Sequence, residues 1–304
     1  MDQLLAPPPS PLQRITDWRW EERNVQLWIK RDDLLAPRLN DPLCGNKWRK
    51  LQHNLARAKQ QGYSKLLTFG GAFSNHLAAV ASAGHHFGFQ TIGLVRGDTV
   101  ENPTLELAQR NGMELHFISR TAYRRKQEAD FLQDIKNRFG PVFILPEGGT
   151  NTAAFHGCAE LAREILQQAP SPPTHLAVAC GTGGTAAGLT QGLAGQSQLL
   201  GVAVLKGGFM SKEIRTHLDS LSLSADNWSV ADDYHHGGYA RHSRALDAFI
   251  QSFYEEQRIL LDPIYTGKLF YALYDLLKQG YFPEDSRVVG IHTGGLQAFA
   301  SARP

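Results

Sequence analysis

HLAVACGTGGTAAGL, residues 175–189 of a 304-residue chain, joins an apolar run to a glycine-rich turn and then to an alanine-rich segment. The apolar run predicts a buried β-strand, and the alanine-rich segment predicts the start of a helix. Glycines let the backbone approach a ligand closely, and the first N–H groups of a helix attract anions. We therefore predict a strand–turn–helix unit with a site for one phosphate group, formed by Gly181, Thr182, Gly183, Gly184 and Thr185.

The same turn also fits a looser pattern, that of dinucleotide-binding proteins. Gly181, Gly183 and Ala186 match the spacing G-x-G-x-x-G/A. That pattern expects an acidic residue for the ribose about 20 residues further on. Here the next apolar run ends at Lys206-Gly207 instead. The missing acid argues against NAD, and the lysine keeps an NADP-dependent oxidoreductase as an alternative.

Five more apolar runs end at a glycine, a serine, a proline or a short polar turn. They are residues 64–69, 91–95, 114–118, 142–145 and 287–291. Such runs, separated by stretches long enough for a crossover helix, are typical of parallel strands covered on both faces. The predicted class is α/β, and the length fits two lobes better than one. The prolines within residues 167–174 mark the clearest break between two strand–helix series.

Charge and composition exclude several classes of partner. The chain has 31 Lys and Arg against 29 Asp and Glu, a formal net charge of +2, and no dense basic block. We therefore expect neither nucleic acid nor a membrane as a partner, and a small molecule becomes the default ligand. No run of 18 apolar residues predicts a membrane span, and the first residues lack the pattern of a secretory segment. Three scattered cysteines favour a reducing, cytoplasmic location without a disulfide framework or a metal site.

Two further glycine turns carry chemistry. In residues 70–81, GGAFSNHLAAVA, a strand ends in glycines and Ser74 or Asn75 begins an alanine-rich helix. Both side chains can face a ligand or only cap the helix, whose first N–H groups suit a carboxylate. In residues 43–51, LCGNKWRKL, Lys47 falls in the first turn of a predicted helix. The helix dipole disfavours a cation there, so we expect a lowered pKa for the Lys47 amine, as Schiff-base chemistry requires.

Taken together and in this order, the three segments resemble the pyridoxal-phosphate enzymes of the tryptophan synthase β-subunit fold type. Within that class they resemble the branch that contains D-cysteine desulfhydrase and 1-aminocyclopropane-1-carboxylate (ACC) deaminase. The resemblance extends from about Ile29 to Gly295. It implies a homodimer of two-domain chains, in which each domain is a mostly parallel twisted sheet flanked by helices. The large cofactor-binding domain would comprise residues 1–50 and 155–304, and the small domain residues 51–154.

The resemblance also implies roles for the residues of the first two turns. Lys47 would bind the cofactor aldehyde covalently and, once substrate displaces it, would move the α-proton. Asn75 would hydrogen-bond the phenolic oxygen of the cofactor, and Ser74 would lie over the cofactor ring as a catalytic group. The helix start that contains Ser74, Asn75 and His76 would receive the substrate carboxylate.

The remaining roles fall on the turn after the mid-chain strand and on two tyrosines. Residues 181–185 would hold the phosphate of the cofactor. Tyr239, in HGGY, and Tyr265, in DPIYTGK, match positions that line the substrate pocket in this branch, where we expect catalytic roles. Phe73 and His76 stand where the family often has a polar residue and Gln, so the carboxylate pocket and the substrate can differ from those of relatives.

Two threonines bear on the type of reaction. Thr266 follows Tyr265 and would contact substrate, and Thr293 ends a strand where the surroundings of the cofactor ring nitrogen are set. Relatives that open the cyclopropane ring typically have Glu and Leu at these two places, whereas desulfhydrase-like relatives have small hydroxyl residues. A carboxylate keeps the ring nitrogen protonated and the ring a strong electron sink, whereas a hydroxyl leaves a weaker one. Loss of sulfide or chloride can proceed with the weaker sink.

We therefore predict a pyridoxal-phosphate-dependent lyase that catalyses α,β-elimination from a small amino acid. D-Cysteine is the expected substrate, with pyruvate, sulfide and ammonia as products. ACC deaminase is the first alternative, and a racemase or a D-serine dehydratase-like enzyme remains open. A cofactor-binding protein without turnover is a further alternative.

Overall fold

Two sheets organise the part of the chain that the computed structural model describes, residues 8–35 and 41–296. The strands are β1 (Leu12–Ile15), β2 (Gln26–Lys30), β3 (Lys65–Gly70), β4 (Gln90–Arg96), β5 (Met113–Ile118), β6 (Phe143–Leu145), β7 (His175–Cys180), β8 (Gln198–Ala203), β9 (Trp228–Ala231) and β10 (Arg287–Ile291). The larger sheet has the order β1-β2-β10-β7-β8-β9, and the smaller has the order β5-β4-β3-β6. Only β1 and β2 pair antiparallel among these strands.

Helices connect the strands. They are α1 (Trp18–Glu21), α2 (Gly45–Gln60), α3 (Asn75–Phe87), α4 (Pro103–Arg110), α5 (Arg120–Arg124), α6 (Ala129–Phe139), α7 (Thr152–Gln168), α8 (Gly184–Leu193), α9 (Met210–Ser220), α10 (Arg244–Gln257) and α11 (Thr266–Lys278). Short 3-10 turns lie at Asp32–Leu34 and Glu147–Gly149. None of the helices in residues 8–35 and 41–296 is both long and apolar enough to cross a membrane.

Both sheets bury side chains on both faces. In β7, Leu176 and Val178 pack into one apolar cluster, whereas Ala177 packs into another on the opposite face. In β3, Leu66 and Leu67 likewise enter two different clusters. Alternate side chains of a strand point to opposite faces, so continuous apolar runs such as these require covering helices on both sides. The α/β class expected from the sequence is confirmed.

Small residues bring three helices unusually close and thereby position the site. A Cβ placed on Gly157 of α7 would lie 1.8 Å from the backbone oxygen of Arg49 in α2. A Cβ placed on Gly188 of α8 would lie 2.5 Å from the Cβ of Cys158 in α7. Only glycine permits either contact. Helix α7 therefore fixes α2, which carries Lys47, against α8, which begins in residues 181–185, called the phosphate turn after its predicted role.

A buried ionic cluster holds the same region. Arg49 of α2 donates to the carboxylates of Asp32, at 3.0 Å, and of Glu164 in α7, at 2.8 Å. Lys30 of β2 is fully buried and donates to Glu164 at 2.5 Å. Removal of one member would leave an uncompensated buried charge, so the cluster specifies how β2, α2 and α7 fit together.

All six apolar runs proposed from the sequence are strands: β3, β4, β5, β6, β7 and β10. The proline-containing residues 167–174 lie between β6, the last strand of the smaller sheet, and β7 of the larger sheet, and they join α7 to β7. The domain limits at 50/51 and 154/155 fall inside α2 and α7, and the division into two domains stays a prediction.

Candidate active site

A cavity of 630 Å³ opens where strands of both sheets end. Gly71 and Arg96 line it from the carboxyl ends of β3 and β4, and Gly181 and Thr293 line it from those of β7 and β10. Ligands of open α/β sheets bind at such ends. The structure brings together most of the predicted site residues as lining: Lys47, Ser74, Asn75, His76, Gly181, Thr182, Gly183, Thr185, Tyr239, Tyr265 and Thr293.

Lys47 lies in the first turn of α2, and the end of β10 holds this turn in place. The Asn46 N–H donates to the backbone oxygen of Thr293 at 3.1 Å. A Cβ placed on Gly45, whose φ is +54°, would lie 2.5 Å from the same oxygen, so this position requires glycine. Burial and the nearby Lys50 ammonium lower the pKa of the Lys47 amine to about 7. A large share of Lys47 side chains is therefore neutral and nucleophilic near neutral pH.

Lys50 is a site residue that sequence reasoning missed. Its Nζ donates to the backbone oxygen of Gly148 at 2.8 Å and to Thr150 Oγ1 at 2.9 Å. Thr150 Oγ1 in turn lies 2.9 Å from Thr182 Oγ1 in the phosphate turn. Burial lowers the pKa of Lys50 to about 8. Its spacing from Lys47 could have indicated this role, since residues three apart in a helix lie on the same face.

The glycine turn after β7 is built as an anion site. Gly183 precedes α8 with a φ of +73°, and Gly184 begins the helix. Gly184 lies behind the cavity lining, where a Cβ would come within 2.5 Å of Thr150 Cγ2. The Thr185 hydroxyl donates to Asn46 Oδ1 at 3.0 Å, which ties the turn to the residue beside Lys47. The first N–H groups of α8 have no acceptor within the helix, so they remain for an anion.

The start of α3 presents a second set of polar groups. Ser74 Oγ accepts a hydrogen bond from Leu77 N at 3.3 Å, so Ser74 caps the helix while also lining the cavity. Asn75 Nδ2 would lie 3.1 Å from a Cβ on Gly295, so glycine at that position leaves room for the amide. His76 is buried, and neither of its ring nitrogens has a hydrogen-bond partner among the described residues. Burial, with the Lys47 and Lys50 ammonium groups, lowers the pKa of His76 well below its usual value, so the imidazole is neutral.

Tyr239 and Tyr265 both line the cavity, and their rings pack edge to face. Their ring centroids are 6.3 Å apart, with planes at 69°. Tyr265 also packs beside the phosphate turn, because a Cβ on Gly181 would lie 3.3 Å from its Cε1. The Tyr239 hydroxyl donates to the backbone oxygen of Phe73 at 3.4 Å, which links the loop before α10 to the loop before α3. Burial raises the pKa of both hydroxyls, so both are proton donors at neutral pH.

Thr266, which was expected to contact substrate, is not among the residues that line the cavity. It is fully buried, and its hydroxyl donates to Asp262 Oδ2 at 2.6 Å and accepts from Asp262 N at 2.9 Å. Asp262 also accepts from the N–H groups of Ile264, Tyr265 and Thr266. Both bonds of the Thr266 hydroxyl are therefore made to Asp262, and the Asp262 carboxylate holds Tyr265 in place through the Tyr265 N–H. In this geometry Thr266 supports the turn that carries Tyr265 and does not line the cavity.

Comparison with known proteins adds the decisive observation. A family profile described as pyridoxal-phosphate dependent enzyme matches residues 4–294. The chain belongs to this family of pyridoxal-phosphate-dependent enzymes. The NADP-dependent oxidoreductase considered for the same glycine turn is thereby overturned, and the cofactor of this enzyme is pyridoxal phosphate.

Individual relatives agree with the family. The enzyme is 30% identical to a D-cysteine desulfhydrase of Yersinia enterocolitica, over 98% of this chain and 94% of the relative. It is also 30% identical to a putative 1-aminocyclopropane-1-carboxylate deaminase of Thermotoga maritima, over 97% of this chain and 96% of the relative. The solved structure of an ACC deaminase homologue superposes with a TM-score of 0.82 at 27% identity, covering 97% of this chain and 92% of that one.

The residues present fit this cofactor. A close-approach glycine turn at the start of α8 suits its phosphate, and a buried amine with a pKa of about 7 suits its aldehyde. His76, buried against the cavity without a hydrogen-bond partner among residues 8–35 and 41–296, has donor and acceptor capacity left for a ligand. The residues present therefore fit both the phosphate and the aldehyde of pyridoxal phosphate.

Proposed function

We propose that the enzyme catalyses α,β-elimination from a small amino acid, with D-cysteine as the preferred substrate. The net reaction converts D-cysteine and water into pyruvate, ammonia and hydrogen sulfide. The observation that carries this proposal is the side chain of Thr293, which lines the cavity at the end of β10 and offers a hydroxyl there. Thr266 stands where ring-opening relatives typically have the carboxylate that makes the cofactor ring a strong electron sink. Its hydroxyl is bonded to Asp262, outside the cavity lining.

Lys47 and Tyr265, which both line the cavity, have separate roles in the proposed reaction. Lys47 and residues 181–185 would hold the cofactor, which would supply an electron sink for the substrate Cα. The Lys47 amine, with a pKa of about 7, takes the α-proton as a general base. The Tyr265 hydroxyl, whose pKa lies well above its ordinary value, stays protonated and can donate a hydrogen bond to the leaving sulfur, which departs as hydrosulfide. Tyr239 lies edge-on to Tyr265 and holds it towards the cavity.

The start of α3 supports binding of the substrate carboxylate. The N–H groups of its first turn point out of the helix, and Ser74 and Asn75 stand at the same end. His76 adds a neutral N–H donor without adding a positive charge. A neutral imidazole fits its place beside the Lys47 and Lys50 amines, because their ammonium forms would repel a positive charge there.

ACC deaminase is the second candidate, because relatives with either name are equally similar to this chain, at 30% identity. Opening of the unactivated cyclopropane ring requires the stronger electron sink, which the two threonines argue against. We further propose a cytoplasmic homodimer. Support for the location comes from three buried, free cysteines, which suit a reducing compartment. Support for the dimer comes from the family resemblance, and sedimentation of the purified enzyme tests it.

The test of the proposed function is the product balance from D-cysteine. Purified enzyme should form pyruvate and sulfide in a one-to-one ratio, and the Lys47→Ala variant should form neither above background. Lys278→Met, which alters an exposed lysine of α11, is the matched control and should retain full activity. Pyruvate without sulfide, or no pyruvate from wild-type enzyme that carries its cofactor, would reject the proposal.

A further inference from the structure

His217 of α9 makes a contact with the phosphate turn that none of the roles above uses. Its Nε2 lies 2.8 Å from the backbone oxygen of Thr182. A carbonyl oxygen can only accept a hydrogen bond, so Nε2 carries the hydrogen and donates it. The ring also packs against Phe155 of α7, with centroids 5.4 Å apart. The imidazole is thus held on two sides and directed at one peptide group of the turn.

That peptide group joins Thr182 to Gly183, and its geometry transmits the contact. In a trans peptide the C=O and the following N–H point in opposite directions. Because the Thr182 oxygen points to α9, the Gly183 N–H points away from α9. A Cβ placed on Gly183 would lie 3.1 Å from Ile214 and 3.5 Å from His217, both residues of α9. Helix α9 therefore packs against this side of Gly183. No residue in the described ranges accepts a hydrogen bond from the Gly183 N–H.

A second contact holds the same residue from its side chain. Thr182 Oγ1 lies 2.9 Å from Thr150 Oγ1, which accepts from Lys50. Thr182 is therefore fixed at both its hydroxyl and its carbonyl, so that the plane of the 182–183 peptide has one orientation. An amide whose orientation is already fixed binds an anion more tightly, because less conformational entropy is lost on binding.

We propose that His217 is a positioning residue for the cofactor phosphate, and that it acts by aiming the Gly183 N–H at that group. Without the imidazole, the 182–183 peptide can rotate and the amide no longer points at the phosphate. The inference depends on the cofactor alone and not on the identity of the amino-acid substrate. It predicts an effect on phosphate recognition that is separate from capture of the aldehyde by Lys47.

Two substitutions separate the hydrogen bond from the packing of the ring. His217→Phe keeps an aromatic ring against Phe155 and removes the donor, whereas His217→Gln loses the ring and keeps an N–H donor of similar reach. Each variant of the full chain is freed of cofactor and titrated with pyridoxal phosphate and, separately, with pyridoxal, which has the same aldehyde and no phosphate. His156→Ala, on the exposed side of α7, is the control.

We expect His217→Phe to weaken binding of pyridoxal phosphate about fivefold to tenfold, the range for one lost hydrogen bond to a fixed amide system. Binding of pyridoxal should stay within about twofold of wild type, and His217→Gln should restore most of the affinity for pyridoxal phosphate. Equal weakening for both ligands would assign His217 a merely structural role and overturn the proposal. Unchanged affinity of His217→Phe for pyridoxal phosphate would overturn it as well.

Discussion

The lowered pKa of the Lys47 amine has a direct kinetic consequence. With a pKa of about 7, half of the Lys47 side chains are neutral at pH 7, against roughly 1 in 3000 for an amine at the ordinary value of 10.5. Only the neutral amine attacks an aldehyde. At pH 7 the cofactor-free enzyme should therefore capture pyridoxal phosphate about three orders of magnitude faster than an exposed lysine of equal nucleophilicity would. The rate should rise with pH up to about 7 and level off above about 8.

Stopped-flow absorbance of the cofactor, recorded from about pH 5 to about pH 10, measures this profile. Lys50→Met removes the ammonium that helps to lower the pKa of Lys47, so the midpoint of the profile should move to higher pH. The control Lys278→Met alters an exposed residue and should leave the midpoint unchanged. A rate that climbs tenfold per pH unit up to about pH 10 would refute the reasoning, because it is the behaviour of an unperturbed lysine.

Three further substitutions test other parts of the structure. Gly157→Ala places a Cβ 1.8 Å from the Arg49 backbone oxygen, so it should cost about 3 kcal/mol of unfolding free energy and lower Tm by about 5 °C, whereas His156→Ala should not; calorimetry measures both. Gly184→Ala pushes Thr150 away from Lys50 and Thr182, so titration should show about tenfold weaker binding of pyridoxal phosphate, and unchanged binding would contradict the account of the turn. Tyr265→Phe should lower kcat for D-cysteine about tenfold and kcat for β-chloro-D-alanine much less, because chloride accepts a weaker hydrogen bond than the leaving sulfur; equal losses would exclude Tyr265 as the hydrogen-bond donor to sulfur.

Short-range sequence patterns predicted many of the strands and most of the residues that line the cavity. Buried parallel strands such as β3 and β7 are continuous apolar runs, and glycines after them predict turns at their carboxyl ends. The three turns that meet at the cavity were therefore visible before their positions in space were known. Strands β2 and β9 lack such a run bounded by glycine, and their pairing depends on neighbours far away in the chain.

The residues that sequence reasoning missed or misplaced depend on contacts between distant segments. Lys50 belongs to the site only because Thr150, 100 residues further on, lies between it and the phosphate turn. His217 reaches the same turn from α9, which no local pattern relates to it. Thr266 has a hydroxyl that suits a pocket, but Asp262 four residues earlier takes both its hydrogen and a lone pair. The residue type at these positions predicted which hydrogen bonds the side chain can make. The partner of each bond depends on the fold and could not be predicted from the local sequence.

A competition between two substrates tests the central claim most directly. Equal concentrations of D-cysteine and ACC are given to the enzyme in one vessel, and pyruvate and α-ketobutyrate are quantified together, so that their ratio reports the ratio of the two kcat/KM values. The hydroxyl residues Thr293 and Thr266 predict pyruvate in large excess, with an equal amount of sulfide. α-Ketobutyrate as the main product would contradict the assignment of this site to α,β-elimination.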